Sequence, residues 1–256
     1  MSDFDRNTIA SRGYGADRAV AIDQGLRAHM IRVYNYMASG VALTGVTAWL
    51  TYLAAGGDSI TVANGRISGL TGFGEAVFTS PLMWVLVLAP LGLVFFMSFR
   101  INSLSASTAR TLFFVYAGML GLSLASIFLM YTAGSITRVF FISAASFGAL
   151  SLWGYTTQRD LSGMGSFLIM GLFGLVIAML VNMFLQSSAL DWALSVAGVL
   201  IFAGLTAWDT QKIKEMYSAM DDGTVAGRKA VMGALSLYLD FINLFLMLLR
   251  LVGDRR

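Results

Sequence analysis

Two aspartates lie within the apolar segments near the carboxy terminus of the sequence, where acidic side chains are rare. Asp209 lies where an apolar segment gives way to a short polar run, and Asp240 lies well inside the apolar stretch 235–249. An acidic residue at the centre of a membrane helix costs about 2.5–3.5 kcal/mol on insertion scales. Each of these two aspartates therefore needs a partner, water or a function, and together they are the first candidates for a site.

The two carboxylates form one site if the chain brings them together. The polar turn between their segments is centred near Gly223 and Thr224, and Asp209 and Asp240 are about equally far from it along the chain. If both segments are helical up to that turn, an antiparallel hairpin places the carboxylates at one depth, roughly 20 Å from the turn. Two close carboxylates in a low-dielectric setting cannot both ionise cheaply, so we predict that they share a proton and titrate as a pair.

Such a pair has two chemical states with different uses. Deprotonated, Asp209 and Asp240 form a hard oxygen site suited to calcium or another cation. Protonated, they form a neutral hydrogen-bonded latch between two helices. The alternative is that Asp209 is an interfacial residue reaching toward the cytosol and that Asp240 is a structural hydrogen-bond acceptor.

Polar residues extend the candidate site along the last segment. A spacing of 4, 3, 4 and 3 residues separates Ser236, Asp240, Asn243, Met247 and Arg250, so they share one helical face. Lipid would leave polar groups on this face unsatisfied, so we expect it to point into a bundle interior or a wet cavity. Ser236 and Asn243 are predicted to support the aspartate pair.

The composition indicates what surrounds these residues. Hydrophobic residues make up 57% of the 256 and charged residues 12%, with a mean hydropathy of +0.74, which predicts a membrane protein. The chain has no cysteine and one histidine, His29, which we expect to be solvated or interfacial. Thiolate sites, histidine metal clusters and serine–histidine relays are thereby excluded. An aspartyl protease would need Tyr-Asp and Gly-x-Gly-Asp motifs, which are absent around Asp209 and Asp240, so we predict that the protein is not an enzyme.

The elements that must position the aspartates are seven apolar segments of about 18–25 residues, which predict an all-α membrane protein with a seven-transmembrane-helix bundle. Residues 1–29 are predicted to be a cytosolic amino-terminal tail, 30–256 the transmembrane domain and 56–80 a long mobile loop between the first two spans. The predicted spans are Met30–Ala55, Pro81–Phe99, Thr111–Tyr131, Ile136–Tyr155, Gly165–Gln186, Ala189–Trp208 and Ala230–Val252.

The distribution of lysine and arginine predicts the orientation in the membrane. Twelve of the 17 basic residues fall on the amino-terminal side of the spans and five on the other side. By the positive-inside rule the amino terminus lies in the cytosol and the carboxy terminus outside. Because Arg250, Arg255 and Arg256 give the chain a basic end, a last segment that re-enters the membrane instead of crossing it is an alternative. The basic residues form no cluster, so no nucleic-acid partner is predicted.

Two motifs around the candidate aspartates resemble those of a known family. Residues 234–245 read ALSLYLDFINLF, which resembles the signature of the transmembrane Bax inhibitor motif family, and residues 208–214 read WDTQKIK, which is similar to its aspartate followed by Gln-x-Ile. Support also comes from residues 114–128. The resemblance covers roughly residues 95–253.

The resemblance implies a fold and a function. Family members are seven-helix bundles, and bacterial members are described as pH-sensitive calcium leak channels gated by the aspartate pair matched by Asp209 and Asp240. The pair would then bind Ca²⁺ in passage, with no other cofactor. An arginine near the end of the second helix latches the closed state, and Arg100 is the candidate here. The resemblance also implies a bacterial inner membrane and, as an alternative role, a regulator or partner of a membrane-anchored ATP-dependent protease.

Overall fold

The fold is a bundle of long helices, described here from a computed structural model. The structure describes the backbone of residues 3–63 and 66–256 and the side chains of residues 24–61 and 67–256. Its helices are α1 (Asp3–Ala54), α2 (Gly72–Phe78), α3 (Leu82–Arg100), α4 (Ala106–Leu124), α5 (Ile127–Met130), α6 (Ala133–Thr156), α7 (Ser162–Leu185), α8 (Ser188–Glu215) and α9 (Gly223–Val252). Short 3₁₀ turns at Gly57–Ser59 and Ile101–Ser103, and strands β1 (Thr61–Ala63) and β2 (Arg66–Ser68), complete the elements.

Seven helical segments in the described part of the chain are long and apolar enough to cross a membrane, which confirms the predicted fold class. They are Gln24–Ala54, Leu82–Ser103, Ala106–Met130, Ala133–Thr156, Ser162–Leu185, Ser188–Glu215 and Gly223–Val252. The last two extend well beyond the predicted spans toward the turn between them. The additional helical turns at these ends contain polar and charged residues, so a search for apolar segments does not detect them.

Helix α9 is the central element of the bundle. It packs against α1, α4, α6 and α8, and its fully buried Tyr238 touches the rings of Phe113 and Tyr116 edge-on. The Tyr238 hydroxyl lies 2.6 Å from that of Thr44, which also donates to the carbonyl of Ala117. Helix α7, by contrast, packs mainly against α8 and exposes most of its apolar side chains. The candidate aspartates therefore lie between the most buried helix and the most lipid-facing one.

The carboxy-terminal helix crosses the whole bundle. Near its start, Arg228 donates to the carbonyl of Leu104, in the connection between α3 and α4. Beyond its end, the backbone N–H of Thr132 donates to Asp254 and that of Arg256 to Met130, at the start of α6. The two ends thus contact connections on opposite faces, and the alternative of a re-entrant last segment is wrong.

The connection between the first two spans is folded, which corrects the expectation of a mobile loop. Strands β1 and β2 pair antiparallel, and α2 is capped by Thr71, whose hydroxyl accepts a hydrogen bond from Gly74. Ile60 packs with Tyr52, Ala55 and Leu129 in a small separate core. Of these contacts only the one with Leu129 joins residues distant in sequence, and a composition rich in Gly, Ser and Thr reveals neither it nor the local pairing.

The amino-terminal segment is continuous with the first span, because α1 begins at Asp3 and runs to Ala54 without interruption. The placement of residues 1–29 as a cytosolic tail stays a prediction.

Candidate functional site

Asp209 and Asp240 are neighbours at the interface of α8 and α9, where both line the same cavity. Asp209 lies six residues before the end of α8 at Glu215, whereas Asp240 lies 17 residues after the start of α9 at Gly223. At 1.5 Å per residue these distances are about 9 Å and about 26 Å. The premise of two helices running up to one turn is therefore wrong, because the non-helical connection 216–222 takes up the difference.

The connection 216–222 is held against α1 by Tyr217. A methyl group added at Gly25 would collide with the hydroxyl end of Tyr217, so this side chain packs directly over the glycine and would have to shift if a Cβ were present. The ring of His29, one helical turn further along, is 5.8 Å from the Tyr217 ring. His29 is 6% exposed and its Nε2 has no hydrogen-bond partner among the described residues, so the histidine is buried in the protein and not solvated; its interfacial position stays a prediction.

The two aspartates have unequal surroundings. Asp240 is 5% exposed, and its Oδ2 is buried without a donor from the described residues. Asp209 is half-buried, and the nearby Lys212 places its Nζ 4.9 Å from the centre of the Trp208 ring. Neither aspartate forms an ion pair with a lysine or arginine in the described part of the chain. Two close carboxyl groups in a low-dielectric setting cannot both ionise cheaply, so a shared proton fits their proximity.

The pair faces a partly open cavity of about 550 Å³ lined by α7, α8 and α9. Ser236 and Asn243, the predicted supporting residues, line the same cavity. Asn243 donates from Nδ2 to the carbonyl of Leu239 at 2.8 Å, which leaves its Oδ1 as an acceptor. All the polar atoms come from α8 and α9, because α7 contributes only apolar side chains to the wall. The cavity therefore has one polar wall and one hydrocarbon wall.

A second cavity, of about 480 Å³, adjoins the first and extends toward the opposite face of the bundle. The two cavities together form a groove. Val176 and Met179 line both cavities, so they separate the aspartate pair from this second space. Arg250 lines the second cavity beside Asp191, with Nη1 3.8 Å from Oδ1, and Arg255 approaches the other oxygen of Asp191 at 3.7 Å. The polar face predicted on the last helix thus runs along the groove and ends at a basic group.

Arg100, the predicted latch, is not brought to the pair. It is the last residue of α3 and is exposed, and its backbone carbonyl accepts a hydrogen bond from Ser103 at 2.8 Å. Among the described acidic residues, none pairs with its guanidinium. A latch role for Arg100 stays a prediction that would require α3 to move.

Gln211 supports the site in a way that the sequence did not indicate. Its Oε1 accepts from the backbone N–H of Leu161 and its Nε2 donates to the carbonyl of Arg159, both at 2.8 Å. The side chain is 7% exposed and joins α8 to the connection between α6 and α7. Only its place in the motif WDTQKIK, two residues after Asp209, marked it for attention.

Comparison with known proteins gives one family. The sequence profile described as the inhibitor of apoptosis-promoting Bax1 matches residues 26–256. The chain is similar to the protein RP147 of Rickettsia prowazekii, at 48% identity over 91% of this chain and 92% of that protein. It is also similar to the inner membrane protein YbhL of Escherichia coli K12, at 46% identity over 94% of this chain and 97% of YbhL.

Proposed function

The chain belongs to the family of the inhibitor of apoptosis-promoting Bax1, and from this premise we propose that it is a pH-sensitive calcium leak channel regulated by Asp209 and Asp240. One observation carries the proposal: two carboxyl groups of different helices line the same cavity between membrane-spanning helices, and neither forms an ion pair within the described part of the chain. Intramembrane acids without a structural partner typically serve ion or proton pathways.

The two protonation states of the pair have opposite effects on the groove. With a shared proton the carboxyl groups hold α8 and α9 together and carry one negative charge instead of two, so they attract a divalent cation less strongly. When the proton leaves, the two carboxylates repel each other and become acceptors. Together with the Ser236 hydroxyl and the Asn243 carbonyl they offer up to about six oxygens, the lower limit of what Ca²⁺ requires. Because the α7 wall adds none, calcium would bind there only transiently, as a passing ion.

The orientation and membrane are part of the same proposal. The protein is an integral membrane protein, and a relative of similar length is an inner membrane protein of Escherichia coli. The excess of lysine and arginine on the amino-terminal side supports a cytosolic amino terminus. Asp209, about 9 Å from the end of α8, would then respond to the cytosolic pH.

Calcium flux from proteoliposomes tests the proposal directly. Flux of the wild-type protein is expected to rise as the pH on the amino-terminal side rises, because deprotonation opens the latch and creates the oxygen site. The double variant Asp209→Asn and Asp240→Asn cannot release that proton, so its flux is expected to lose the pH dependence. A double variant with the wild-type pH profile would refute the proposal.

Asp160→Asn is the matched control for this experiment. Asp160 lies in the exposed connection between α6 and α7, where hydrogen bonds from the hydroxyl and backbone N–H of Ser162 hold its pKa below its usual range. The Asp160 carboxylate therefore stays ionised throughout the pH range in which flux is measured. Its replacement by asparagine should leave the pH dependence of calcium flux unchanged. If the wild-type protein shows no intrinsic calcium flux while a membrane protease copurifies in stoichiometric amount and changes activity, the alternative role as its regulator is favoured.

Arg250 provides a second test at the other end of the groove. Its positive charge lines the cavity through which a cation would leave or enter, so it opposes cation passage. Arg250→Gln is expected to raise calcium flux by about two- to tenfold while keeping its pH dependence, because the aspartate pair is intact. Equal or lower flux, in protein shown to be folded by size-exclusion chromatography, would contradict a path along this groove.

A further inference from the structure

The cavity at the aspartate pair presents both oxygen atoms and hydrocarbon surface, and a bare metal ion would contact only the oxygen atoms. Asp209, Asp240, Ser236 and Asn243 supply oxygens on one side, whereas the α7 side consists of hydrocarbon and aromatic groups such as Leu172 and Phe173. An ion bound to these oxygens would gain no favourable contact from the apolar wall formed by α7. A ligand that matches both walls has a cationic head and an apolar body.

We propose that this cavity binds lipophilic monovalent amines, with the ammonium group on Asp240 and Asp209 and the hydrocarbon part against α7. Asp240 is nine-tenths buried and faces the cavity, and the absence of a donor for its Oδ2 among the described residues leaves an acceptor for an ammonium N–H. Hydrogen bonds between an ammonium and a carboxylate are among the stronger ones in proteins.

The charge of an ammonium group also matches that of the aspartate pair. A pair of carboxyl groups that holds one proton carries a single negative charge, which one ammonium group balances. The nearest cation on the same wall, Lys212, lies over the Trp208 ring and makes no ion pair with either aspartate. An amine would therefore supply the direct ionic partner that neither aspartate has among the described residues, although Lys212 lines the same cavity.

Size and access fit an organic molecule. A volume of about 550 Å³ lies within the range of about 300–1,000 Å³ typical of sites for small organic ligands. Met179 and Met247, with their unbranched side chains, let the wall adapt to different shapes. Because α7 faces lipid, an amine dissolved in the bilayer is already concentrated beside the cavity. Amine binding does not require that calcium passes, so it goes beyond the proposed channel activity.

Isothermal titration calorimetry on the full-length protein in nanodiscs of zwitterionic lipid tests this proposal. The probe is 4-phenylbutylamine, with 4-phenylbutan-1-ol as the uncharged ligand of the same shape and empty nanodiscs as background. We expect saturable binding of the amine to one site and at least about tenfold weaker binding of the alcohol, since a charge-assisted hydrogen bond is lost. Equal binding of amine and alcohol would overturn the proposal.

Three variants locate the site. Asp240→Asn is expected to weaken amine binding about tenfold or more, and Leu172→Trp is expected to abolish it by filling the cavity while keeping both carboxyl groups. Asp160→Asn, which removes an exposed carboxylate elsewhere, should bind like the wild type. If Asp240→Asn fails to fold, Leu172→Trp decides, and unchanged binding by that variant refutes the site. Calcium flux is not a readout here, so amine binding can hold where the channel proposal fails, and the reverse.

Discussion

Gly154→Ala is expected to destabilise the protein and to displace the candidate site, although the change adds a single methyl group. The added Cβ would collide with the carbonyl oxygen of Ala207 and lie 2.9 Å from its Cα, so α6 and α8 could not keep their separation. Backbone atoms cannot rotate away as a side chain can. Overpacking of this kind costs about 1–3 kcal/mol. The displaced residue, Ala207, precedes Asp209 by two positions, so the contact with Asp240 should also be disturbed.

Gly148→Ala is the matched control on the same helix. A Cβ at Gly148 meets nothing within 4 Å, and the residue is exposed. Its replacement should be neutral or slightly stabilising, by up to about 1 kcal/mol, because alanine favours a helix more than glycine does. Thermal unfolding of the purified proteins in detergent, together with the pH profile of calcium flux, measures both effects. Equal unfolding temperatures for the two variants would show that α6 and α8 are not packed this closely.

The sequence predicted the parts of this molecule that depend on local composition. Apolar segments identified all seven spans, since lipid demands about twenty apolar residues wherever a helix crosses. Asp209 and Asp240 stood out for the same reason, because acidic groups inside such segments are costly. The face shared by Ser236 and Asn243 followed from the helical period alone.

What the sequence did not predict depends on contacts between distant residues. The hairpin arithmetic for Asp209 and Asp240 assumed one shared turn, yet α8 ends at Glu215 and the connection 216–222 spans the remaining height. The burial of His29 arises from Tyr217, almost two hundred positions away, which packs over Gly25. No local pattern carries such information, because the partner is determined only when the helices pack.

The folded connection between the first two spans illustrates the same limit. Gly56 and Gly69 have positive φ angles of 132° and 79°, and a Cβ at either would collide with backbone in this connection, with Gly69 and Ser59 respectively. In sequence these glycines favour an irregular loop. In the structure they allow two backbone segments to approach closely, so the same residues build a compact unit.

Gln211→Met is expected to have the second large effect on stability. The change keeps the size of the side chain but removes the acceptor for Leu161 N–H and the donor for the Arg159 carbonyl. Because Gln211 is 7% exposed, water cannot easily replace the bond to Leu161 N–H. Leaving the buried Leu161 N–H unsatisfied costs about 1–3 kcal/mol, whereas the carbonyl of the exposed Arg159 can bond to water and adds less. Gln158→Met, an exposed change in the connection between α6 and α7, should have little effect on the unfolding temperature.

The variant Gln211→Glu distinguishes the contributions of the two hydrogen bonds that Gln211 makes with Leu161 and Arg159. Glutamate keeps an acceptor for Leu161 N–H but presents oxygen instead of N–H to the Arg159 carbonyl, so it loses one bond and gains a repulsion. Hydrogen exchange of the Leu161 amide should therefore be fast in Gln211→Met and slower in Gln211→Glu, although both variants unfold at lower temperatures than the wild type. If the Leu161 amide exchanges at the wild-type rate in Gln211→Met, Gln211 does not hold the connection between α6 and α7 against α8. The position of α8 beside Asp240 would then depend on its packing against α6, α7 and α9.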